Sequence, residues 1–249
     1  MSRSFVVAAN WKMNKSPREA VEYFKNFLPK AEKAARAKTL IFFVPAIDLW
    51  VTEQALRGSP VKWGAQNCYF ETKGAFTGEN SPAVLAEIGA PFTLVGHSER
   101  RALFHETDEE TGKKVRALQG VGITPMLCVG ESLSERESGR TNEVIIRQLR
   151  AGLAMRDVSK PVMIAYEPVW AIGTGKVATP DQAGEAHAVL RGALREIGGA
   201  LLAENTPILY GGSVKPDNAG AIREQKEVDG FLVGGASLEI DSFLALCAD

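Results

Sequence analysis

The chain has 249 residues, of which 45% are hydrophobic and 24% charged, with a formal net charge of -1. That is enough apolar material for one large domain, and the charge balance leaves no basic field to attract nucleic acid or an anionic membrane. The three cysteines, Cys68, Cys128 and Cys247, are widely spaced and show no CxxC pairing, which fits a reduced chain rather than a disulfide scaffold.

The first element is an apolar run at residues 5–9, ending at Asn10. It is too short for a secretory signal or a membrane span, so a cytoplasmic chain with no membrane partner is expected. Ser16-Pro17-Arg18-Glu19 is a capping box with proline at the first helical position. Further apolar runs occupy residues 40–44 and 61–65. The connection that follows, residues 66–79, is long and contains Tyr69, Phe70 and Phe76. Ser81-Pro82 starts another helix, and residues 92–95 form a fourth run. Helix starts at Ser98-Glu99-Arg100 and Thr107-Asp108-Glu109-Glu110 precede a fifth run at 123–129. A sixth run spans 162–166, and Thr179-Pro180-Asp181-Gln182 is again a capping box. The last two runs are 208–210 and 230–233.

None of these runs alternates cleanly with polar residues, as expected for parallel strands buried on both faces. Strand and helix alternate without a linker or compositional break, which predicts an α/β fold around a parallel sheet. Eight such units in 249 residues predict a closed barrel over residues 1–249 as one domain, with an open doubly wound sheet as the competitor.

In a barrel, chemistry is expected where strands end. Glu167 ends the sixth run, before Pro168, with Trp170 and Ile172 close behind. Apolar neighbours would desolvate its carboxylate and make it a stronger base. His97 lies between the fourth run and a helix start, where an imidazolium is disfavoured and a neutral ring can donate to a carbonyl. Lys12 follows the first run two residues after Asn10, and a continuing strand would put both on one face. Gly211-Gly212-Ser213 and Gly234-Gly235-Ala236-Ser237 end the last two runs, and such glycines let backbone N–H groups approach an anion. His105 and His187 fall in expected helices without a partner motif and read as ordinary surface residues.

The segments NWKMN, GHSERR, AYEPVWAIGTGK, YGGSV and LVGGAS, in this order and spacing, resemble the triosephosphate isomerase family over essentially the whole chain. The resemblance implies an eight-stranded parallel (β/α)8 TIM barrel that interconverts dihydroxyacetone phosphate and D-glyceraldehyde 3-phosphate, a step of glycolysis and gluconeogenesis, without metal or cofactor. It implies Glu167 as general base, His97 as electrophile and proton shuttle, and Lys12 with Asn10 as electrostatic and substrate-binding groups. Glu99 would be the partner of Lys12. The phosphate would be held by Gly173, Ser213, Gly234 and Gly235, and residues 168–178 would close as a lid. A homodimer is implied, with Thr77 of one subunit reaching Asn10 and Lys12 of the other. The chain departs from the family at His105, where glycine is common, and at Asn80, where an aliphatic residue is common. The alternatives are another sugar-phosphate enzyme, either an epimerase or a Schiff-base lyase needing a lysine in a central strand, and a catalytically dead binding module, which would have lost Glu167, His97 or Lys12.

Overall fold

A computed structural model describes residues 3–173 and 176–248. The strands are β1 (Val6–Asn10), β2 (Thr39–Val44), β3 (Lys62–Ala65), β4 (Phe92–Val95), β5 (Thr124–Val129), β6 (Met163–Tyr166), β7 (Ile208–Tyr210) and β8 (Gly230–Val233). They run parallel in chain order, and β8 pairs with β1 to close the barrel. Each lies within one residue of its expected limits at either end. The helices are α1 (Pro17–Ala37), α2 (Leu49–Leu56), α3 (Pro82–Glu87), α4 (Ser98–Leu103), α5 (Asp108–Gly120), α6 (Leu133–Glu137), α7 (Thr141–Leu153), α8 (Pro180–Asn205), α9 (Pro216–Arg223) and α10 (Ile240–Cys247). The expected capping boxes form at Ser16, Thr107 and Thr179, and Ser81 caps α3. Among the described residues, no helix is long and apolar enough to cross a membrane.

The strands are apolar on both faces because two cores share them. Val6, Ala8, Ile41, Phe43, Leu94, Met126, Cys128, Ala165, Leu209 and Leu232 fill the barrel. Their neighbours Val7, Phe42, Val95, Leu127, Ile164, Tyr210 and Phe231 point outward and pack under Phe24, Phe27, Leu118, Leu190 and Phe243 of the helices. Continuing the inward alternation two residues past the interior layer reaches Asn10, Gly96, Gly130, Glu167, Gly211 and Gly234. The period of the strand thus delivers three of the expected site residues, Asn10, Glu167 and Gly234, and three further glycines to the C-terminal mouth. Lys62, the lysine within β3, is its first residue and exposed, at the opposite end of the barrel.

Two histidine expectations are corrected. His105 is exposed, but it lies between α4 and α5 rather than in a helix, with a left-handed φ of 56°. Glycine adopts that conformation without strain, which fits the glycine that the resemblance leads one to expect there. His187 is fully buried in α8, not at the surface. Its Nδ1 lies 3.2 Å from the carbonyl of Glu227, so Nδ1 carries the proton, and Nε2 is buried with no partner among the described residues. The same helical face carries Arg191, whose guanidinium is ion-paired with Asp229 and Glu227.

Burial pushes the His187 pKa down from 6.5 to about 4. The unfolded chain therefore takes up a proton below pH 6.5 that the folded chain refuses, so stability falls as pH drops from 6.5 towards 4. The full loss from this group is about 3 kcal/mol, at about 1.4 kcal/mol per unit. Urea midpoints of the wild type and His187→Gln at pH 7 and pH 4 check this. The pH-dependent loss should be smaller in the variant by about that amount. An equal loss in both would show that His187 does not carry it.

Candidate active site

Glu167 is buried, with a fractional exposure of 2%. Its backbone N–H donates to the Val129 carbonyl at 2.8 Å, prolonging the ladder between β5 and β6. One carboxylate oxygen lies 2.9 Å from Nε2 of His97, and the other accepts the backbone N–H of Ser98 at 2.8 Å. Two glycines make the room. A Cβ on Gly130 would lie 1.7 Å from the Glu167 carbonyl oxygen, and one on Gly211 would lie 3.0 Å from its Cγ.

His97 caps α4 with its own ring: Nδ1 accepts the Glu99 backbone N–H at 3.3 Å. A neutral ring bound this way carries its proton on Nε2, which faces Glu167. Burial lowers the proton affinity of His97, but the facing Glu167 carboxylate together with Glu99 outweighs burial and raises it above the ordinary value. A second proton would still have to sit on Nδ1, where the Glu99 amide already points. Glu167 differs from the sequence expectation. Burial does raise its proton affinity, but His97, the Ser98 amide and Lys12 outweigh burial and hold the carboxyl below its ordinary value. A carbonyl group that displaced the carboxylate from His97 would remove the largest of these opposing influences and restore basicity.

Lys12 and Asn10 come together by a different route from the one expected. β1 ends at Asn10, and Lys12 has a left-handed φ of 52°. A lysine in that conformation is strained and needs support. The Asn10 side-chain oxygen accepts the Lys12 N–H at 3.0 Å, and Gln66 donates to the Lys12 carbonyl at 2.8 Å. Lys12 Nζ pairs with Glu99 at 2.5 Å, as the resemblance implied.

These groups open onto a cavity of about 310 Å³. Asn10, Lys12, His97, Glu167, Gly173, Ser213, Gly234 and Gly235 all line it, so the structure unites every candidate catalytic and binding residue. Glu99 stands behind Lys12. Thr77 is exposed and does not line this cavity. Of the segment 168–178, Thr174 and Gly175 lie outside the described residues. Ile172 reaches the cavity, and Gly173 has φ 69°.

Sequence reading missed three supports. Glu131 is fully buried and accepts from the Trp170 indole at 2.9 Å and the Tyr166 hydroxyl at 3.1 Å, fixing the base of the segment that follows Glu167. Gln66 and Gly130 act as described above. Each follows a strand closely, the position where polar residues and glycines carry most information in a barrel.

The triosephosphate isomerase family model matches residues 5–249. The chain belongs to the triosephosphate isomerase family. It is 54% identical over 238 residues to the triosephosphate isomerase of Bdellovibrio bacteriovorus, covering 96% of each chain. It is 48% identical over 249 residues to the triosephosphate isomerase of Lactobacillus delbrueckii subsp. bulgaricus, covering 99% of this chain and 98% of that one. Against the triosephosphate isomerase of Lacticaseibacillus casei it is 46% identical over 246 residues, covering 98% of each. Each of the five motif segments quoted from the sequence contributes residues to the lining of this cavity.

Proposed function

We propose that residues 1–249 form one catalytic domain that interconverts dihydroxyacetone phosphate and D-glyceraldehyde 3-phosphate through an enediolate. The observation that carries this reading is the contact of a buried carboxylate with a buried imidazole, 2.9 Å apart, at a mouth walled by glycines. In the proposed reaction the substrate carbonyl takes the place of the Glu167 oxygen at His97 Nε2. Glu167 then removes the proton from the adjacent carbon, and His97 donates to the oxygen that gains charge. The same carboxylic acid returns the proton to the neighbouring carbon, and His97 recovers its proton from the other oxygen, which becomes the new carbonyl, so no proton is lost or gained. Lys12 stabilises the developing negative charge, with Asn10 fixing its backbone.

Backbone N–H groups of Gly173, Ser213, Gly234 and Gly235 take the phosphate, with the segment 168–178 closing over it and excluding water. The chemistry uses no metal or cofactor and serves glycolysis and gluconeogenesis. A coupled assay of the interconversion in the presence of EDTA tests it. Activity undiminished by the chelator is expected, and an inactive folded chain would refute the reading. A cytoplasmic location goes with this reading, and cell fractionation would test it.

The finer part concerns assembly. Residues 71–79 are exposed, and the loop is organised by its own aromatic stack, Tyr69 on Phe70 at 4.1 Å and on Phe76 at 4.4 Å between ring centres. Its closure uses Asn80, whose side chain donates to the Asn67 carbonyl at 3.3 Å, a role an aliphatic residue could not fill. An exposed loop stiffened in this way supports a two-fold homodimer in which Thr77 of each subunit approaches Asn10 and Lys12 of the other. Sedimentation at micromolar concentration should give a mass near twice 26.9 kDa. Removing residues 70–76 should give a folded, poorly active monomer. A fully active wild-type monomer would refute the dimer and leave the roles of Glu167, His97 and Lys12 untouched.

A further inference from the structure

We propose that Arg101 is a positioning residue for the isomerisation: its guanidinium clamps the backbone beneath His97 and beneath the residue packed against Glu167, and so fixes the distance between base and electrophile. The inference rests on the function proposed above. Arg101 belongs to α4 and its side chain is 15% exposed. Nε donates to the Gly96 carbonyl at 2.8 Å, and Nη2 donates to the Cys128 carbonyl at 3.2 Å. Nη1 pairs with Asp108 at 2.6 Å, and the other oxygen of Asp108 pairs with Arg147 of α7 at 2.7 Å.

The two carbonyls are well chosen. The first belongs to the peptide that links Gly96 to His97. Gly96 turns β4 into α4 with a left-handed φ of 70°, so the direction of the His97 side chain depends on this one peptide group. The preceding peptide is already held, since the Gly96 N–H donates to buried Glu106 at 3.1 Å. Arg101 holds the next carbonyl, and the turn is pinned from both sides. The second carbonyl belongs to Cys128, whose side chain faces Glu167 inside the barrel. A planar, rigid fork bonded to both strand ends relates their positions directly, which a lysine's single ammonium cannot do. The packing leaves little slack, because a Cβ at Gly96 would lie 2.8 Å from Nη2 of Arg101.

The test compares wild type, Arg101→Gln, Arg101→Lys and Asp108→Asn, with Phe27→Leu as a destabilised control in the helix layer, remote from the cavity. The readouts are kcat, KM and the nitrogen resonances of the His97 ring. Arg101→Gln should lose about 10- to 100-fold in kcat, as expected for reacting groups misplaced by a fraction of an ångström to an ångström. KM should stay within about threefold, since the phosphate contacts are elsewhere. The His97 resonances should shift or broaden. Arg101→Lys should recover only part of the loss, and Phe27→Leu should leave both kcat and the ring signals as in wild type.

A folded Arg101→Gln with wild-type kcat and unchanged His97 resonances would overturn the proposal. If that variant does not fold, the same two readouts on Arg101→Lys and Asp108→Asn decide it: reduced kcat with displaced resonances supports the clamp, and wild-type values overturn it. An inactive wild-type chain would instead refute the proposed function, while the ring resonances would still report whether Arg101 orients His97.

Discussion

Glu167→Gln should lower kcat by about 10²- to 10⁴-fold or more, the range for losing a general base. The substitution keeps the size and shape of the side chain, so binding of a phosphate-bearing inhibitor should be largely retained. It also disturbs the local hydrogen bonds in a specific way. Both carboxylate oxygens accept donors, one from His97 Nε2 at 2.9 Å and the other from Ser98 N–H at 2.8 Å. Glutamine offers one acceptor, so one donor must face an NH₂ group. Moving the His97 proton to Nδ1 would relieve that clash only by creating another with the Glu99 amide. A loss of stability of about 1–3 kcal/mol, the cost of an unsatisfied buried donor, should accompany the loss of activity. Glu167→Asp separates the two effects. It keeps two acceptor oxygens and the charge but withdraws the base by about 1 Å, so turnover should still fall by about 10²-fold. Near-normal turnover in Glu167→Gln would mean that another group removes the proton.

The strands were legible because their signal is local: a short apolar run between turn residues. Closure into a barrel followed from the count of strand–helix units and from the resemblance, since nothing local in β8 announces that it pairs with β1. The site residues were legible because they end strands, and the period of two carries Ala8 to Asn10 and Ala165 to Glu167 on the inner face. What failed depended on backbone conformation or on helix faces. Lys12 turns left-handed at once after β1, so alternation reached the right pairing with Asn10 for the wrong reason. His105 was assigned to a helix because a positive φ leaves no mark when the residue is not glycine.

His187 was misread because a polar side chain in a helix is usually solvated. Its spacing held the correction. His187 and Arg191 are four residues apart, on the stripe that also carries Ala183, Leu190 and Leu194, all buried. A histidine and an arginine on an apolar stripe need buried partners, and Glu227 and Asp229 supply them. The Ser132–Glu135 capping box, which starts α6, was written as plainly as the other three and was overlooked. Glu131 just before it is harder to foresee, because its partners Tyr166 and Trp170 come from another strand and the loop beyond it.

The other large effect should come from adding a single methyl group. Gly130 continues the inner face of β5 after Met126 and Cys128, and its Cβ would lie 1.7 Å from the Glu167 carbonyl oxygen and 2.6 Å from the carbonyl carbon. Both atoms are backbone, so no side-chain rotation relieves the contact. Nor can the backbone drift freely, because the Glu167 N–H is bonded to the Val129 carbonyl at 2.8 Å and the Gly211 N–H to the Tyr166 carbonyl at 2.7 Å. Gly130→Ala must therefore splay β5 from β6 or push Glu167 away from His97. The first outcome costs about 1–3 kcal/mol or more as overpacking. The second costs turnover, by about 10²-fold for a displacement near 1 Å. Both should occur, with KM changed much less than kcat. Gly192→Ala is the matched control, since it lies within α8 and its Cβ would meet nothing within 4 Å. That change should leave kcat unaltered and raise stability by about 0.5–1 kcal/mol, the helical advantage of alanine over glycine. Urea midpoints and steady-state kinetics on the two variants make the comparison. A Gly130→Ala chain with the wild-type midpoint and kcat would show that β5 has room beside Glu167, and that Gly130 is not what sets the position of the base.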